Sequence, residues 1–374
     1  MELSKLDAFI DTMPRRGFPA CEVAATLNGE LVYHRCAGYS DGAGTKKATE
    51  NDLYWIYSAT KVITCIAAMR LVEEGRMSLF DPVSKYIPEY KNVKIKNPDG
   101  SLTSPNGEMT VEHLFTMTGG LTYNFRTPST EAVGIEADTL TLVKAFARDP
   151  IMFEPGTRFF YSLCHDVLAA VCEVIAGVPF SEYLDNIIFK PLGLTDIGFR
   201  PSDGQKKRFS AMYTYNVGTA TATEIPCFNE LSMLKNYESG GGGLFSSVGD
   251  YLKIITAIAC GGATREGYRI LKPETIAMMQ KNYLSDTARN DMIKNSEFGY
   301  GWGLCGRVHM DPAVSLSLSP VGEFGWNGAA NAYALIDPEN RLAIFYAAHV
   351  MKATYGYTVV HPTLRNMIYE QILG

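Results

Sequence analysis

The sequence predicts a mixed α/β fold of the α+β kind: one antiparallel sheet drawn from both ends of the chain, flanked by helices, with a mainly helical segment inserted between them. Three observations predict it. Residues 21–27 and 31–36 are apolar, strand-like runs that flank Asn28-Gly29, a strong hairpin signal. Residues 332–336 and 342–348 repeat the pattern near the other end, around Asp337-Pro338-Glu339-Asn340. Between them lie apolar runs at 62–72 and 164–176, longer than ordinary strands. The expected division is a sheet domain over 1–82 and 230–374, a helical and loop-rich insert over 83–229, and an active site between the two.

Taken in order, residues 3–12 read as a short amphipathic helix ahead of the first hairpin. The run at 62–72 is apolar nearly all round, so its helix is expected to be enclosed on every side. Gly75 and Asp81-Pro82 stop it, and 92–107, rich in Asn, Pro and Gly, reads as a surface excursion. Short helices follow at 110–117, ending at Gly119-Gly120, and at 138–147, with Asp138 as its cap. Phe153-Glu154-Pro155-Gly156-Thr157 is a turn, after which Tyr161 stands at the mouth of the helix over 164–176. Strand and helix signals are poor over 192–227, where loops are expected. A helix over 248–259, a strand over 300–308, the second hairpin and a closing helix over 362–373 complete the chain.

With 374 residues, 46% of them hydrophobic, the chain can bury a sizeable core. Lys plus Arg number 34 against 40 Asp plus Glu, and no basic block occurs, so a nucleic-acid partner is not expected. No run of about 18 apolar residues suggests a membrane span, and residues 1–20 lack the apolar core of a signal peptide. The eight cysteines are scattered without C-x-x-C spacing, and a reduced, cytoplasmic setting is expected.

The chemistry centres on Tyr57-Ser58-Ala59-Thr60-Lys61, which opens the enclosed helix. A hydroxyl is a poor nucleophile unless a base takes its proton, and residues i and i+3 of a helix lie side by side. Lys61 therefore stands one turn from Ser58, where enclosure disfavours a charged ammonium. Ser58 also feels the positive end of the helix dipole. This is an S-x-x-K arrangement. A second copy, Ser232-Met233-Leu234-Lys235, lies in a polar stretch that runs into Gly240-Gly241-Gly242-Gly243 with no long apolar helix after it, and is set aside. Gly38-Tyr39-Ser40-Asp41-Gly42 matches a nucleophile elbow but leads into Ala43-Gly44-Thr45, not a helix, and reads as a glycine-rich loop. The four glycines lack the Lys-Ser/Thr of a phosphate loop. His113, His165 and His349 fall in no catalytic or metal-ligand spacing and are expected to be structural.

Several motifs agree in order and spacing. Ser58-Ala59-Thr60-Lys61 is followed by Leu71-Val72-Glu73-Glu74-Gly75, Leu79-Phe80-Asp81-Pro82-Val83 and Leu114-Phe115-Thr116-Met117-Thr118-Gly119-Gly120-Leu121. Phe153-Glu154-Pro155-Gly156, Tyr161-Ser162-Leu163, Pro191-Leu192-Gly193-Leu194 and the glycine run before Leu244-Phe245-Ser246 come after. Across nearly its whole length the chain resembles the serine β-lactamase and penicillin-binding-protein superfamily, nearest its class C-like branch and the β-lactamase-like family VIII carboxylesterases. The resemblance implies the β-lactamase/transpeptidase-like fold and a serine hydrolase working through an acyl-enzyme without metal or cofactor.

By that resemblance Tyr161 matches the tyrosine of a Tyr-x-Asn element and Trp326-Asn327-Gly328, on a sheet-edge strand, the third element, Lys-Thr-Gly or His-x-Gly. Leu163 stands in place of Asn and Trp326 in place of the cation. Those positions hold the amide and carboxylate of penicillins, so Leu163, Trp326, Asn327 and Gly328 are expected substrate contacts, and Arg307 is the nearest cation that could replace the lost charge. Losing a charge-assisted bond worth roughly 1.5–3 kcal/mol removes a factor of about ten or more in affinity for anionic substrates, whereas neutral esters lose nothing. The resemblance implies Ser58 as nucleophile, Lys61 or Tyr161 as base, and backbone N–H groups of Ser58 and Ala329 as the oxyanion hole. A carboxylesterase acting on small neutral esters is expected. A β-lactamase or D-alanyl-D-alanine carboxypeptidase, an acyltransferase, and a non-catalytic binder of peptidoglycan fragments are the alternatives.

Overall fold

A computed structural model describes residues 3–232, 234–293 and 298–374. The central sheet has seven strands: β1 (Ala20–Leu27), β2 (Glu30–Gly38), β3 (Tyr300–Gly303), β4 (Gly306–His309), β5 (Phe324–Gly325), β6 (Tyr333–Asp337) and β7 (Leu342–Ala348). Their order is β3-β4-β5-β6-β7-β1-β2, antiparallel throughout. Both expected hairpins form, and the halves join where Cys21 of β1 faces Ala348 of β7. Five helices matter for the site: α1 (Ser4–Asp11), α2 (Thr60–Glu73), α3 (Cys164–Ala176), α4 (Val248–Ala259) and α5 (His361–Ile368).

Successive strand residues point to opposite faces, and both faces here are covered, which is why β6 and β7 are apolar at nearly every position. One face sends Val23, Ala25, Leu335 and Ile344 against α1 and α5. The other sends Ala24, Ala334 and Phe345 into the larger core with α4, where Tyr251 stacks on Phe345 at 3.9 Å between ring centres. Beyond α4 lie α2 and α3. Every residue of α2 from Thr60 to Met69 is buried, as an all-round apolar helix requires.

The expected helices near 110 and 138 are Val111–Phe115 and Thr139–Phe146, the second capped by Asp138. Four elements differ from expectation, three of them for a physical reason. The strand expected over 300–308 is two strands, reversed at Gly306, whose φ of 115° suits glycine. The expected loops over 192–227 contain a hairpin, Met212–Asn216 with Thr221–Ile225, whose first strand also pairs in parallel with Val350–Met351. Its second strand is largely exposed, so no apolar alternation marks it. Trp326-Asn327-Gly328 follows β5, the third strand of seven rather than an edge strand, because the β3–β4 hairpin adds outside it. The closing helix ends at Ile368 and continues as a wider turn, Tyr369–Leu373. Among the described residues no single helix is long and apolar enough to cross a membrane.

Candidate active site

The chain enters the site through a strained turn. Ile56 donates its N–H to Leu244 O over 3.1 Å, and Tyr57 then adopts φ 46°, an uncommon left-handed value for an aromatic residue. A short 3₁₀ turn, Tyr57–Ala59, carries Ser58 directly into α2. Ser58 is 8% exposed and Lys61 fully buried. Lys61 Nζ donates to Ser58 Oγ over 3.4 Å and to Gly241 O over 2.6 Å.

That second bond depends on the glycine run. A Cβ on Gly240 would stand 2.5 Å from Ala169 Cβ, and one on Gly241 would stand 2.4 Å from Asp166 Oδ2, so only glycine lets this backbone lie against α3. Thr64 Oγ1 donates to Gly240 O over 2.8 Å and Asn229 Nδ2 to Gly242 O over 2.7 Å. Asp166 Oδ1, on the first turn of α3, accepts from Tyr237 OH at 2.5 Å, Ser239 Oγ at 2.6 Å and Gly241 N at 3.2 Å. The run thus presents a fixed carbonyl to Lys61, a duty unrelated to phosphate binding.

Tyr161 closes the other side. Lys61 Nζ lies 4.6 Å from its ring centre, Tyr123 stacks on it at 5.4 Å and 15°, and Trp326 Nε1 donates to its hydroxyl over 2.9 Å. Burial pushes the Tyr161 phenol well above its ordinary range, while hydrogen bonds from Ser58 and Trp326 pull it back. The Tyr123 phenol is raised by burial as well, with the Lys61 charge opposing.

After β5 the backbone at Gly328 comes so close to the Ser58 turn that a Cβ there would stand 2.1 Å from Ile56 O. Gly328 N donates to Ala332 O over 2.8 Å, and the Tyr357 hydroxyl reaches Gly328 O and Ala329 O at 2.8 and 2.9 Å. Asn327 Oδ1 accepts from Arg307 Nη1 at 3.1 Å. Ser58, Tyr161, Trp326, Asn327, Gly328 and Ala329 all border one cavity of about 880 Å3, which Tyr123 and Tyr357 also line. Two buried guanidinium groups reach its wall. Arg307 pairs with the fully buried Glu323 at 3.5 Å, and Arg365 donates to Tyr300 OH at 2.7 Å and Asn366 Oδ1 at 3.0 Å.

Leu163 is not brought to this cavity. It is 4% exposed and packs in the core, beside Leu121 and Phe146, so its expected contact with substrate is corrected to a structural one. Ser40 is buried away from the cavity, its N–H bonded to Lys46 O. Ser232 ends a single turn, Glu230–Ser232, and Met233 lies outside the described residues. The three histidines serve the backbone: His113 Nδ1 accepts from Thr110 N, His165 Nε2 bonds to Phe115 O, and His349 sits between Trp55 N and Ser210 O. Sequence reasoning missed Tyr123, Asp166, Gly241 and Tyr357. Asp166 carried a signal as an acid inside an apolar helical run, and Gly241 as part of the glycine run, though neither duty is readable from the residues alone.

The family model described as beta-lactamase matches residues 6–357. An uncharacterized protein of Mycobacterium tuberculosis is 31% identical over 325 residues, covering 83% of this chain and 80% of that protein. Esterase EstB of Burkholderia gladioli is 28% identical over 359 residues, covering 87% and 84%. Among solved structures, EstCE1, a hydrolase with promiscuous acyltransferase activity, aligns with a TM-score of 0.82 at 23% identity over 98% of each chain, a likeness of fold. The chain belongs to the beta-lactamase family, whose members are generally hydrolases.

Proposed function

We propose that this protein is a serine carboxylesterase that cleaves small neutral esters through an acyl-enzyme on Ser58. The observation that carries the ester reading is the Trp326 indole: it stands where a substrate carboxylate would need a cation, and its one N–H is already given to Tyr161. The Arg307 charge is offset by Glu323. Similarity to esterase EstB supports the same reading.

In this scheme Ser58 Oγ attacks the ester carbonyl and its proton passes to Lys61 or Tyr161, which act on one shared proton. Backbone N–H groups of Ser58 and Ala329 hold the oxyanion, a role supported by the tight approach of Gly328 to Ile56 O. The proton then goes to the leaving alcohol, and water activated at the same place releases the acid. The cavity, near the upper end of the roughly 300–1,000 Å3 common for ligand sites, leaves room for an alcohol beside the acyl group. Transfer to an added alcohol is therefore a second outcome of the same acyl-enzyme.

The test compares p-nitrophenyl acetate and butyrate with a chromogenic cephalosporin and benzylpenicillin. The esters should show kcat/KM at least tenfold higher, and Ser58→Ala should lose both turnover and labelling by a fluorophosphonate. Penicillin hydrolysis at rates matching the best ester would overturn the assignment and direct attention to Arg365 as the carboxylate's partner. A protein that the fluorophosphonate never labels would be a binder.

A further inference from the structure

The β1–β2 hairpin brings together three metal-ligating side chains, none of which lines the cavity. Cys36 lies directly opposite Glu22 in the ladder, and His34, two residues earlier on β2, shares the same face. His34 Nε2 stands 3.0 Å from Glu22 Oε1 and 3.8 Å from Cys36 Sγ, and the ligand atoms of all three lie within 4.8 Å of one another. Spacings of two and twelve residues in sequence form no familiar metal motif, which is why only the folded hairpin reveals the group.

Two features separate this cluster from an ordinary surface ion pair. Glu22 is 1% exposed, yet its second oxygen, Oε2, has no hydrogen-bond partner, a costly arrangement for a buried carboxylate. The Tyr54 hydroxyl, buried close enough to feel the Glu22 charge, also lacks a partner. Second, Glu22 and Cys36 converge on the same ring nitrogen of His34. A nucleophile, base and carboxylate relay needs its two partners on opposite nitrogens. Convergence on one point is instead what a coordinated ion requires.

We propose that Glu22, His34 Nε2 and Cys36 Sγ bind one divalent cation of the zinc class, leaving a fourth position for water. Bonds of about 2.0–2.3 Å at the tetrahedral angle put donor atoms roughly 3.4–3.6 Å apart. The observed 3.0 and 3.8 Å bracket that range, and the Glu22 and Cys36 ligand atoms, within 4.8 Å of each other, need to shift by at most about 1.4 Å through side-chain rotation to reach it. A thiolate, imidazole and carboxylate set suits Zn2+ over Mg2+ or Ca2+. Binding exchanges the Cys36 S–H bond for an S–metal bond, and the proton leaves to solvent. The His34 side chain is 26% exposed, which gives the ion a way in. Because β2 is the outermost strand on its side of the sheet, the ion would pin that edge to β1.

The test strips the protein with a chelator and titrates it with Co2+, whose absorption reports tetrahedral geometry and sulfur ligation. One equivalent should produce both ligand-field bands and a sulfur charge-transfer band, displaced by Zn2+. Cys36→Ser should lose the charge-transfer band, and His34→Ala, at a part-exposed position, should weaken binding at least tenfold. Cys227→Ser, at an exposed free cysteine, should change neither. Zn2+ should also raise the Tm of the unaltered protein but not of His34→Ala. Absence of a sulfur band, or a band lost with Cys227 and retained without Cys36, would overturn the site.

Discussion

Trp326 donates its indole N–H to the Tyr161 hydroxyl over 2.9 Å, with the two rings 5.6 Å apart. The bond takes one lone pair of the phenol oxygen and leaves the other lone pair and the O–H for Ser58. It also favours the phenolate, against the burial that raises this group. Trp326→Phe keeps an aromatic ring but removes the donor, so Tyr161 should ionise at still higher pH. The expected result is a few-fold to tenfold fall in kcat for p-nitrophenyl butyrate with KM little changed, measured with a pH–kcat profile whose basic features move up. An unchanged kcat would detach the indole from the chemistry.

Lys61→Ala and Tyr161→Phe should each lower kcat by orders of magnitude. Both groups meet at Ser58, with Lys61 Nζ 3.4 Å from its Oγ. If they serve one proton, the double variant should be scarcely worse than the poorer single one. Additive losses in log kcat, taken from steady-state rates of all four proteins, would mean two separate duties.

Gly241→Ala tests the carbonyl that receives the Lys61 N–H. The added methyl would meet Asp166 Oδ2 at 2.4 Å, so the loop or the carboxylate must move. Displacement of about 1 Å near a reacting group can cost about 100-fold, and a loss of that order in kcat is expected while circular dichroism remains native. Asp166→Asn, which keeps the shape, should lose less. Full activity in Gly241→Ala would show that Lys61 does not depend on this contact.

Stability should fall in mild acid. Burial is the main cause holding the His165 imidazole down to about 3, that of His349 to about 4 and that of His361 to about 3, against an ordinary 6.5. The unfolded chain takes these protons below about pH 6.5 and the folded one does not, so stability is complete above that pH and is lost as pH falls toward 4. Glu173 opposes, since burial raises it from 4.5 to about 7 and the folded state keeps its proton across that window. His113, also held down by burial, adds to the loss, and Glu22 and Glu112, raised by burial, reduce it, leaving a net loss on the order of 1–3 kcal/mol per pH unit. Urea midpoints at pH 7, 6 and 5 should fall steadily, and equal midpoints would contradict the linkage.

Legibility in the sequence follows from how local each cause is. The α2 helix is readable because its apolar residues surround the axis, a property of 62–72 alone, and Ser58 and Lys61 then follow from one helical turn. The terminal hairpins are readable from their turns, Asn28 and Gly29 both taking left-handed backbone angles. Tyr123 and Tyr357 are not, since nothing distinguishes them among 21 tyrosines until distant segments place them against Tyr161 and Ala329. Leu163 shows the opposite failure. A motif position suggested a side chain facing substrate, but a leucine at the mouth of α3 gains about 2 kcal/mol by turning into the core, and it does.

The pairing of β1 with β7 sets a schedule for the newly made chain. Cys21 leaves the ribosome long before Ala348, its partner across the ladder. At about 5–20 residues per second the interval is roughly a quarter of a minute to a minute. For all that time the β1 edge of the first hairpin is open as well as the β2 edge that stays open in the finished sheet, and the apolar α2 helix lacks the sheet that β7 completes. Such an edge invites pairing with a neighbouring nascent chain. Yield during overexpression should therefore respond to translation speed and to trigger-type chaperones more than to the stability of the finished protein.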